Sequence, residues 1–412
     1  MEIKMRIFRK TSIAGFALLI LSLFCTSCAA SAKECWIGTW ASGQQLTETR
    51  NLPPAPGLSN NTLRQVVHMT LGGSKLRVQL SNAYGSSPVT IKAAHLAVSK
   101  GGSAIDAATD KALTFQGGTS ITIKAKEAVY SDTLDFNVTP LSNLAVSIYF
   151  VETSADVTGH PGSRTTSYIQ TGDAVTAADM NSAVTTDHWY ILSGIDLQLD
   201  DSYACVVTLG DSIADGRGST TNGNDRWPDN LARRLQAEPN TAKIGVLNQG
   251  IGGNAVVTGG LGPTALERFK RDVLGQSGVR WVIILEGVND IGGSSSTKAA
   301  TDLIAAYERF INESHAQKIM VYGVPILPFG GSTYGSNDHE TSRQTVNKWI
   351  RTSGKFDAVI DLDAAVRDPA NPTRLLAEYD SGDHLHLNVA GYQKMAEAVD
   401  LDLFKQKKAV SH

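Results

Sequence analysis

Four short polar segments of the sequence carry side chains that together suit acyl transfer. Gly210-Asp211-Ser212 follows the apolar, β-branched run Ala204 to Leu209, which predicts a serine on the turn that leaves a buried strand. Open α/β sheets bind ligands at such strand ends, and the unpaired amides of a following helix favour an anionic intermediate. Alone, the tripeptide is also ordinary turn and capping chemistry.

The other three segments fall at the ends of predicted strands or before the last predicted helix. They are Asn248 to Asn254, Gly287 to Asp290 and Asp383 to Asn388. Because the carboxyl ends of parallel strands meet at one edge of a sheet, we expect these segments to meet the serine there.

These segments supply every part that a serine ester hydrolase needs: a nucleophile, a base, an orienting carboxylate and oxyanion donors. Ser212 is predicted to attack, and His386 to take its proton. Asp383, three residues earlier, is predicted to hold the imidazole tautomer. The predicted oxyanion hole consists of the amides of Ser212 and Gly253 and the side-chain NH2 of Asn289, which donates without adding charge.

Which glycine donates its amide to the oxyanion hole is not decided by the sequence, because Gly250 and Gly252 lie within three residues of Gly253 and could supply the amide instead. All three could also be plain turn glycines. Likewise Asn289 could only close a turn, and Asp290 could cap the segment that follows it.

Taken together, the four ordered segments resemble the GDSL or SGNH hydrolase superfamily over roughly residues 204–404, with Ile213 in place of the leucine that gives the family its name. Trp36 to Trp40, Arg226 to Pro228 and Leu285 to Asp290 look like its secreted arylesterases and acylhydrolases found with xylan-degrading enzymes. The resemblance implies a flavodoxin-like sandwich of helices around a five-stranded parallel sheet. It also implies that no metal or organic cofactor is required.

A metal site is the main alternative for the histidine segment. His384 and His386 form a His-x-His pair, to which Asp383 could add a third ligand. Such a site would leave Ser212 and Asn289 without a role, so no metal is predicted. His384 is interpreted as a residue of the pocket wall or one that lies just behind it.

For several other polar and aromatic residues we prefer a structural role to a substrate-binding role. Asp215 and Arg226 could touch substrate, but helix capping and a surface ion pair are the favoured interpretations. Four tryptophans could stack on sugar rings, although core packing is the commoner role. They are Trp36, Trp40, Trp189 and Trp227.

The predicted elements change in kind near residue 200. Residues 36 to about 200 read as all-β, with a hairpin predicted at Gly72-Gly73 between the runs Thr62 to Thr70 and Lys75 to Ser81. The recurring short strands suggest a β-sandwich. From Cys205 onward, strands alternate with helical patterns, which predicts a three-layer α/β domain with a parallel sheet.

That α/β domain is predicted to contain five strands and five helices. The strands are Ala204 to Leu209, Lys243 to Asn248, Val279 to Leu285, Lys318 to Val324 and Ala358 to Leu362. The helices are Pro228 to Ala237, Ala265 to Leu274, Lys298 to Ser314, Glu340 to Thr352 and Val389 to Phe404.

Composition and the N-terminal residues limit the classes of protein to which this chain can belong. The 412 residues are 42% hydrophobic and 19% charged, with a net charge of -3, so nucleic acid is excluded as a partner. Basic residues, the apolar run Ile13 to Phe24 and Ala30-Ser31-Ala32 predict a signal peptide over 1–32. Its apolar run is too short for a membrane span, which takes about 20 residues. The remaining predicted domains are 33–200 and 201–412.

Cysteines leave two questions open. Thr26-Ser27-Cys28 could be a lipoprotein signal with Cys28 lipidated, but we expect a secreted or periplasmic protein with no lipid anchor. Cys35 and Cys205 could form a disulfide in an oxidising compartment, or remain two separate buried thiols.

The sequence therefore predicts a secreted serine esterase that removes small acyl groups, acetyl above all, from a carbohydrate through an acyl-enzyme intermediate. Its substrate would be a small acyl ester or an acetylated polysaccharide. One alternative is a lipase or thioesterase with a longer acyl pocket. The other is a carbohydrate-binding protein whose β-domain carries the main role, against which the simpler role for that domain is a scaffold forming one wall of the cleft.

Overall fold

The computed structural model of the protein describes residues 1–2, 33–294 and 298–405. The predicted signal peptide and the alternative lipid anchor at Cys28 concern residues that lie outside this description. Residues from Glu34 onward form one compact unit, so the predicted boundary between residues 200 and 201 stays a prediction.

The N-terminal region is all-β, as predicted. Its strands are β1 (Glu34–Ala41), β2 (Gln45–Leu46), β3 (Asn61–His68), β4 (Gly73–Ser81), β5 (Val89–Gly101), β6 (Ala104–Ile105), β7 (Lys111–Ala112), β8 (Ile121–Ile123), β9 (Ala128–Tyr130), β10 (Leu134–Val138), β11 (Asn143–Glu152), β12 (Thr158–His160), β13 (Ser167–Thr171), β14 (Val184–Thr186), β15 (Trp189–Tyr190) and β16 (Leu192–Asp200). They form sheets ordered β1-β16-β4-β10, β14-β13-β3-β11-β5-β6 and β15-β12-β2. Of the remainder, β9 pairs with β4, whereas β7 and β8 pair with β5.

The hairpin predicted at Gly72-Gly73 is wrong. Strand β3 pairs with β11 and β13, whereas β4 pairs with β16 and β10, so the connection crosses from one sheet to another. Its backbone is held instead by Thr39: the Thr70 hydroxyl donates to the Thr39 carbonyl at 2.6 Å, and the Leu71 amide donates to the Thr39 hydroxyl at 2.8 Å. A Cβ on Gly72 would lie 2.7 Å from the Val138 carbonyl, so glycine permits a close approach here.

The C-terminal region contains the predicted five-stranded parallel sheet. Its strands are β17 (Ala204–Gly210), β18 (Ile244–Gly250), β19 (Val279–Leu285), β20 (Met320–Gly323) and β21 (Ala358–Val359). They lie in the order β18-β17-β19-β20-β21. Numbered from β17, this is the 2-1-3-4-5 order of flavodoxin-like sheets, in which ligands bind at the carboxyl ends beside the first strand.

The helices of this region are α1 (Ser212–Asp215), α2 (Trp227–Ala237), α3 (Ala265–Phe269), α4 (Val288–Gly292), α5 (Lys298–Ala316), α6 (Asn337–Thr352), α7 (Leu362–Val366) and α8 (Val389–Glu397). A π-helical turn, Lys270–Leu274, continues α3. The last predicted helix is too long: a separate 3₁₀ turn, Leu401–Phe404, follows α8. The Asp400 carboxylate caps that turn by accepting from the Asp402 amide at 2.9 Å, which competes with a continuous helix.

Helices cover both faces of the parallel sheet. Cys205 and Val207 of β17 point into a hydrophobic cluster shared with α3, α5 and α6, whereas Val206 points into another shared with α2 and α8. Alternate residues of a strand face opposite ways, so β17 is buried on both sides. The first cluster continues into the all-β region, which explains why the two parts form one unit.

Cys35 and Cys205 do not form a disulfide and are separate thiols. Cys205 is fully buried, and its Sγ donates to the Ser277 carbonyl at 3.4 Å. In the described part of the chain, every helix is too short or too polar to cross a bilayer.

Candidate active site

Ser212 stands at the carboxyl end of the central strand β17, as the first residue of α1. Asp211 caps this helix, because its carboxylate accepts a hydrogen bond from the Ile213 amide at 2.9 Å. A Cβ on Gly210 would lie 2.6 Å from the Leu285 carbonyl, so the strand can turn here only with glycine. The early amides of α1 have no partner within the helix, which leaves donors beside the Ser212 hydroxyl.

Ser212, His386 and Asp383 form one chain of short hydrogen bonds. Ser212 Oγ is 2.7 Å from His386 Nε2, and His386 Nδ1 is 2.7 Å from Asp383 Oδ2. The other oxygen of Asp383 accepts from the amides of Leu385 and His386 at 3.0 and 2.8 Å. The carboxylate therefore fixes both the backbone and the imidazole of the loop that precedes α8.

The pKa shifts within this hydrogen-bonded chain suit His386 to act as a general base. Burial lowers the pKa of His386 below its ordinary value of 6.5, although the hydrogen bond and the charge of Asp383 oppose this. Burial acts to raise the pKa of Asp383, but hydrogen bonds from the His386 amide and imidazole outweigh it and hold that pKa below the ordinary value. Near neutral pH the imidazole is thus uncharged and the carboxylate ionised, which lets Nε2 accept a proton from Ser212.

The glycine segment narrows the choice of backbone donor. The Gly250 amide donates to Asn248 Oδ1 at 2.9 Å, and a Cβ there would lie 2.3 Å from the Asp215 backbone nitrogen. Gly250 thus serves the packing of β18 against α1. Gly252 and Gly253 both line the cleft, and Gly253 has a φ of 71°, which favours glycine.

Hydrogen bonds fix the orientation of the Asn289 amide. Its Nδ2 donates to the Asn254 carbonyl at 2.7 Å, and its Oδ1 accepts from the Tyr334 hydroxyl at 3.0 Å. A carbonyl can only accept, so Nδ2 is the atom that faces Asn254, and its second N–H is left for another acceptor. Asp290 does not cap the segment after it: its carboxylate accepts from the Val256 amide at 2.8 Å and so braces the glycine loop.

Ser212, Asn289 and His386 open into a cleft of about 470 Å³. Its walls come from both regions of the chain, because the all-β region contributes residues that include Glu48, Arg50, Pro161 and Arg164. Tyr334 and the neighbouring Ser332 and Thr333 close another side. The sequence analysis singled out none of these residues, because no local motif places them at the cleft.

Asp215 and Arg226 are both buried, and α1 is capped by Asp211 rather than by Asp215. The favoured reading of Arg226 as a surface ion pair is wrong: it is 5% exposed, and its Nε donates to Asp229 Oδ2 at 2.6 Å. Asp215 is 1% exposed, and its Oδ1 is 2.9 Å from His160 Nε2 of β12. The pairing of Asp215 with His160 joins residues far apart in sequence, so no local pattern predicts it. The pairing of Arg226 with Asp229 is local, but its burial depends on the all-β region, where Ser163 accepts from Arg226.

The two neighbouring histidines use different carboxylates. His384 Nδ1 is 2.6 Å from Asp380 Oδ2, whereas His386 faces Asp383 and Ser212. Among the described residues, no three His, Cys, Asp or Glu side chains are grouped so that they could hold a metal ion.

The tryptophans are mostly core residues. Trp40, Trp189 and Trp227 are at most 5% exposed, and the first two meet edge to face with centroids 4.9 Å apart. Trp36 is half-buried under the Arg77 guanidinium, 4.4 Å from the ring centroid. None of them lines the cleft.

A buried charged group that the sequence analysis overlooked lies behind Ser212. Arg268 is fully buried and donates to the carbonyls of Gly210 and Gln249 at 2.9 and 2.6 Å, which ties the ends of β17 and β18 together. Its Nη2 is 3.5 Å from Glu286. Burial raises the pKa of Asp211 to about 7 and that of Glu286 to about 8, so acids beneath the site resist ionisation.

The region that contains this site is similar to known proteins. Residues 208–394 match the model of the GDSL-like Lipase/Acylhydrolase family. No curated protein matches the chain. Among solved structures, a catalytic mutant of an acetylxylan esterase from Geobacillus stearothermophilus is 21% identical, with a TM-score of 0.37, over 51% of this chain and 97% of that one. A GDSL-like lipase from Bacteroides thetaiotaomicron is 18% identical, with a TM-score of 0.37, over 50% and 91%.

Proposed function

We propose that the protein is a serine esterase for short acyl esters of carbohydrates. The premise is that residues 208–394 form a GDSL-like lipase/acylhydrolase domain and that the protein is a carboxylic ester hydrolase. The observation that carries the catalytic assignment is the hydrogen-bonded chain from Ser212 through His386 to Asp383. Its position at the carboxyl end of β17 is where this sheet type binds ligands.

The residues take the following roles in this proposal. Ser212 attacks the acyl carbon while His386 removes its proton, and Asp383 holds the imidazolium that forms. The resulting oxyanion accepts hydrogen bonds from the amides of Ser212 and Gly253 and from Asn289 Nδ2. His386 then protonates the leaving alcohol, and afterwards it activates the water that releases the acid.

The lining of the cleft supports a short acyl group. Apart from Tyr334, its apolar side chains are Pro161, Leu261 and Leu385, and most of the remainder are polar. A long acyl chain needs a continuous apolar wall, since each buried CH2 contributes about 0.8 kcal/mol. The polar character also suits a sugar alcohol. A wall built from the all-β region supports the scaffold role for that region.

The test is acetate release from acetylated xylan, with p-nitrophenyl acetate as a second substrate. We expect wild type to release acetate and Ser212→Ala to be inactive on both esters. Ser219→Ala is a matched control, because Ser219 lies seven residues on and does not line the cleft. Activity that survives Ser212→Ala would exclude Ser212 as the nucleophile.

The alternative of a lipase or thioesterase is separated by acyl-chain length. We expect kcat/KM to fall from p-nitrophenyl acetate to the butyrate and octanoate esters. A rise toward octanoate would replace the short-acyl proposal with the long-acyl one.

We also propose that the enzyme acts outside the cytoplasm, with residues 1–32 removed as a signal peptide and no lipid at Cys28. Mass spectrometry of the exported protein is expected to find an N-terminus near Lys33. A lipidated Cys28 at the N-terminus would support the membrane-anchored alternative.

A further inference from the structure

Three arginine side chains line the cleft, and each comes from a different part of the chain. Arg50 lies in the 3₁₀ turn Thr49–Asn51, Arg164 lies in the loop after β12, and Arg217 follows α1. The Arg217 side chain is 61% exposed and that of Arg164 is 32% exposed. Guanidinium groups are the side chains best suited to bind planar oxyanions, because they present a fixed fork of donors.

The carboxylates of the cleft do not satisfy these guanidinium groups. Arg164 Nη2 is 3.8 Å from Asp215 Oδ2, and Arg217 Nε is 3.8 Å from Asp383 Oδ2, both too far for a hydrogen bond. Arg164 Nε is buried and finds no hydrogen-bond partner in the part of the chain that the structure describes. Arg50 likewise has no ion-pair partner among residues 33–294 and 298–405.

The acidic groups of the cleft, in contrast, are mostly engaged. Glu48 accepts from Asn51 Nδ2 at 2.9 Å, and Asp215 Oδ1 is 2.9 Å from His160 Nε2, whereas Asp215 Oδ2 has no hydrogen-bond partner among the described residues. Asp383 is held by His386 and by backbone amides. The cleft therefore offers an incoming molecule more charged donors than charged acceptors.

The position of two arginines indicates which part of the ester they would meet. Arg217 Nε lies 3.8 Å from Asp383 Oδ2, the same oxygen that is 2.7 Å from His386 Nδ1, and Arg164 lines the same cleft as His386. In the proposed mechanism His386 protonates the leaving alcohol. The arginines thus face the alcohol portion of the ester rather than the acyl portion.

We propose that the alcohol portion of the substrate carries an oxyanion, a carboxylate or a sulfate, that binds at Arg164 and Arg217 with Arg50 at the rim. An acylated glycan with uronic acid or sulfated residues has this chemistry. The inference rests on the proposed esterase function, because it specifies which alcohol that esterase releases.

Three small esters that differ in charge test this inference. They are 4-acetoxybenzoate, 4-acetoxybenzenesulfonate and the neutral 4-acetoxybenzamide. The ratio of kcat/KM for an anionic ester to kcat/KM for the neutral one cancels effects of a variant on the chemistry itself. We expect this ratio to fall about tenfold in Arg217→Gln and in Arg164→Gln, since a charged hydrogen bond is lost. Comparing the two anions tells a carboxylate from a sulfate site.

The same kcat/KM ratio can be measured at different salt concentrations and in variants away from Ser212, which gives independent tests. The ratio is expected to fall as salt is added, because exposed charges are screened. Arg50→Gln keeps the test valid if a change at Arg164 disturbs folding, and it should also lower the ratio. Arg309→Gln, on the exposed face of α5, is the matched control and should leave the ratio unchanged.

The outcomes separate this inference from the proposed function. Ser212-dependent cleavage of all three esters, with a ratio insensitive to salt and to the arginine variants, would overturn the oxyanion site and leave the esterase proposal standing. Failure of wild type to cleave even the neutral ester in a Ser212-dependent way would overturn both.

Discussion

His160 Nε2 lies 2.9 Å from Asp215 Oδ1, and this contact joins the all-β region to the helix that begins with Ser212. The two side chains are 4% and 1% exposed. His160 Nδ1 also lies 2.8 Å from the Gly43 carbonyl oxygen. Because its two ring nitrogens lie beside Gly43 and Asp215, the His160 ring joins the loop after β1 to α1, next to Ser212.

Removing His160 is expected to destabilise the protein strongly. In His160→Ala the buried Asp215 carboxylate loses its donor, and breaking a buried pair in this way costs about 3–5 kcal/mol of unfolding free energy. Urea denaturation of the purified protein measures it. His315→Ala is the matched control, since His315 Nε2 is also 2.9 Å from an aspartate, Asp357, but is 42% exposed. That change should cost no more than about 1 kcal/mol, and equal losses would contradict the role of burial.

Changes at Asn289 and Tyr334 should affect turnover in different degrees. Asn289→Ala removes the side chain proposed as an oxyanion donor and is expected to lower kcat by about 10²–10³. Tyr334→Phe removes only the hydrogen bond that orients Asn289, so a fall of about three- to tenfold is expected. Tyr203→Phe, outside the cleft, serves as control. A Tyr334→Phe enzyme as active as wild type would exclude the orienting role.

The pH dependence of kcat/KM should report His386. In the proposed mechanism the neutral form of His386 is the base, so we expect activity to rise with pH as the imidazole loses its proton. Because burial lowers the pKa of His386, the midpoint of that rise is expected below pH 6.5. Initial rates with p-nitrophenyl acetate between pH 4 and 8 measure it, and a midpoint above 6.5 would contradict the assignment of base or environment.

Glu286 is expected to make stability fall as pH rises. Burial raises its pKa from 4.5 to about 8 in the folded protein, so in that window the unfolded chain loses a proton that the folded protein keeps. Stability should therefore drop by up to about 1.4 kcal/mol per pH unit over this window. Glu286→Gln has no such proton and should show a flatter curve. Glu308→Gln, at a side chain that is 45% exposed, should follow wild type. A Glu286→Gln curve as steep as wild type would refute the prediction.

Much of the chemistry could be anticipated because it follows strand ends. Ser212, Asn289 and the glycine loop each follow a strand of one parallel sheet, and that sheet type brings carboxyl ends together whatever the loops between them do. His386 and Asp383 are three residues apart, so their pairing needs only a local turn.

The sequence by itself thus determined the parallel sheet and the four segments at its edge, because periodicity and motif order are local properties. Only the tertiary structure decided that Arg164 reaches the cleft and that His160 reaches α1. It also decided that Arg226 is buried and that Glu286 resists ionisation. Those outcomes depend on packing between an all-β region and a sheet distant in sequence. No local pattern encodes such contacts, since burial and charge pairing arise only when the two surfaces meet.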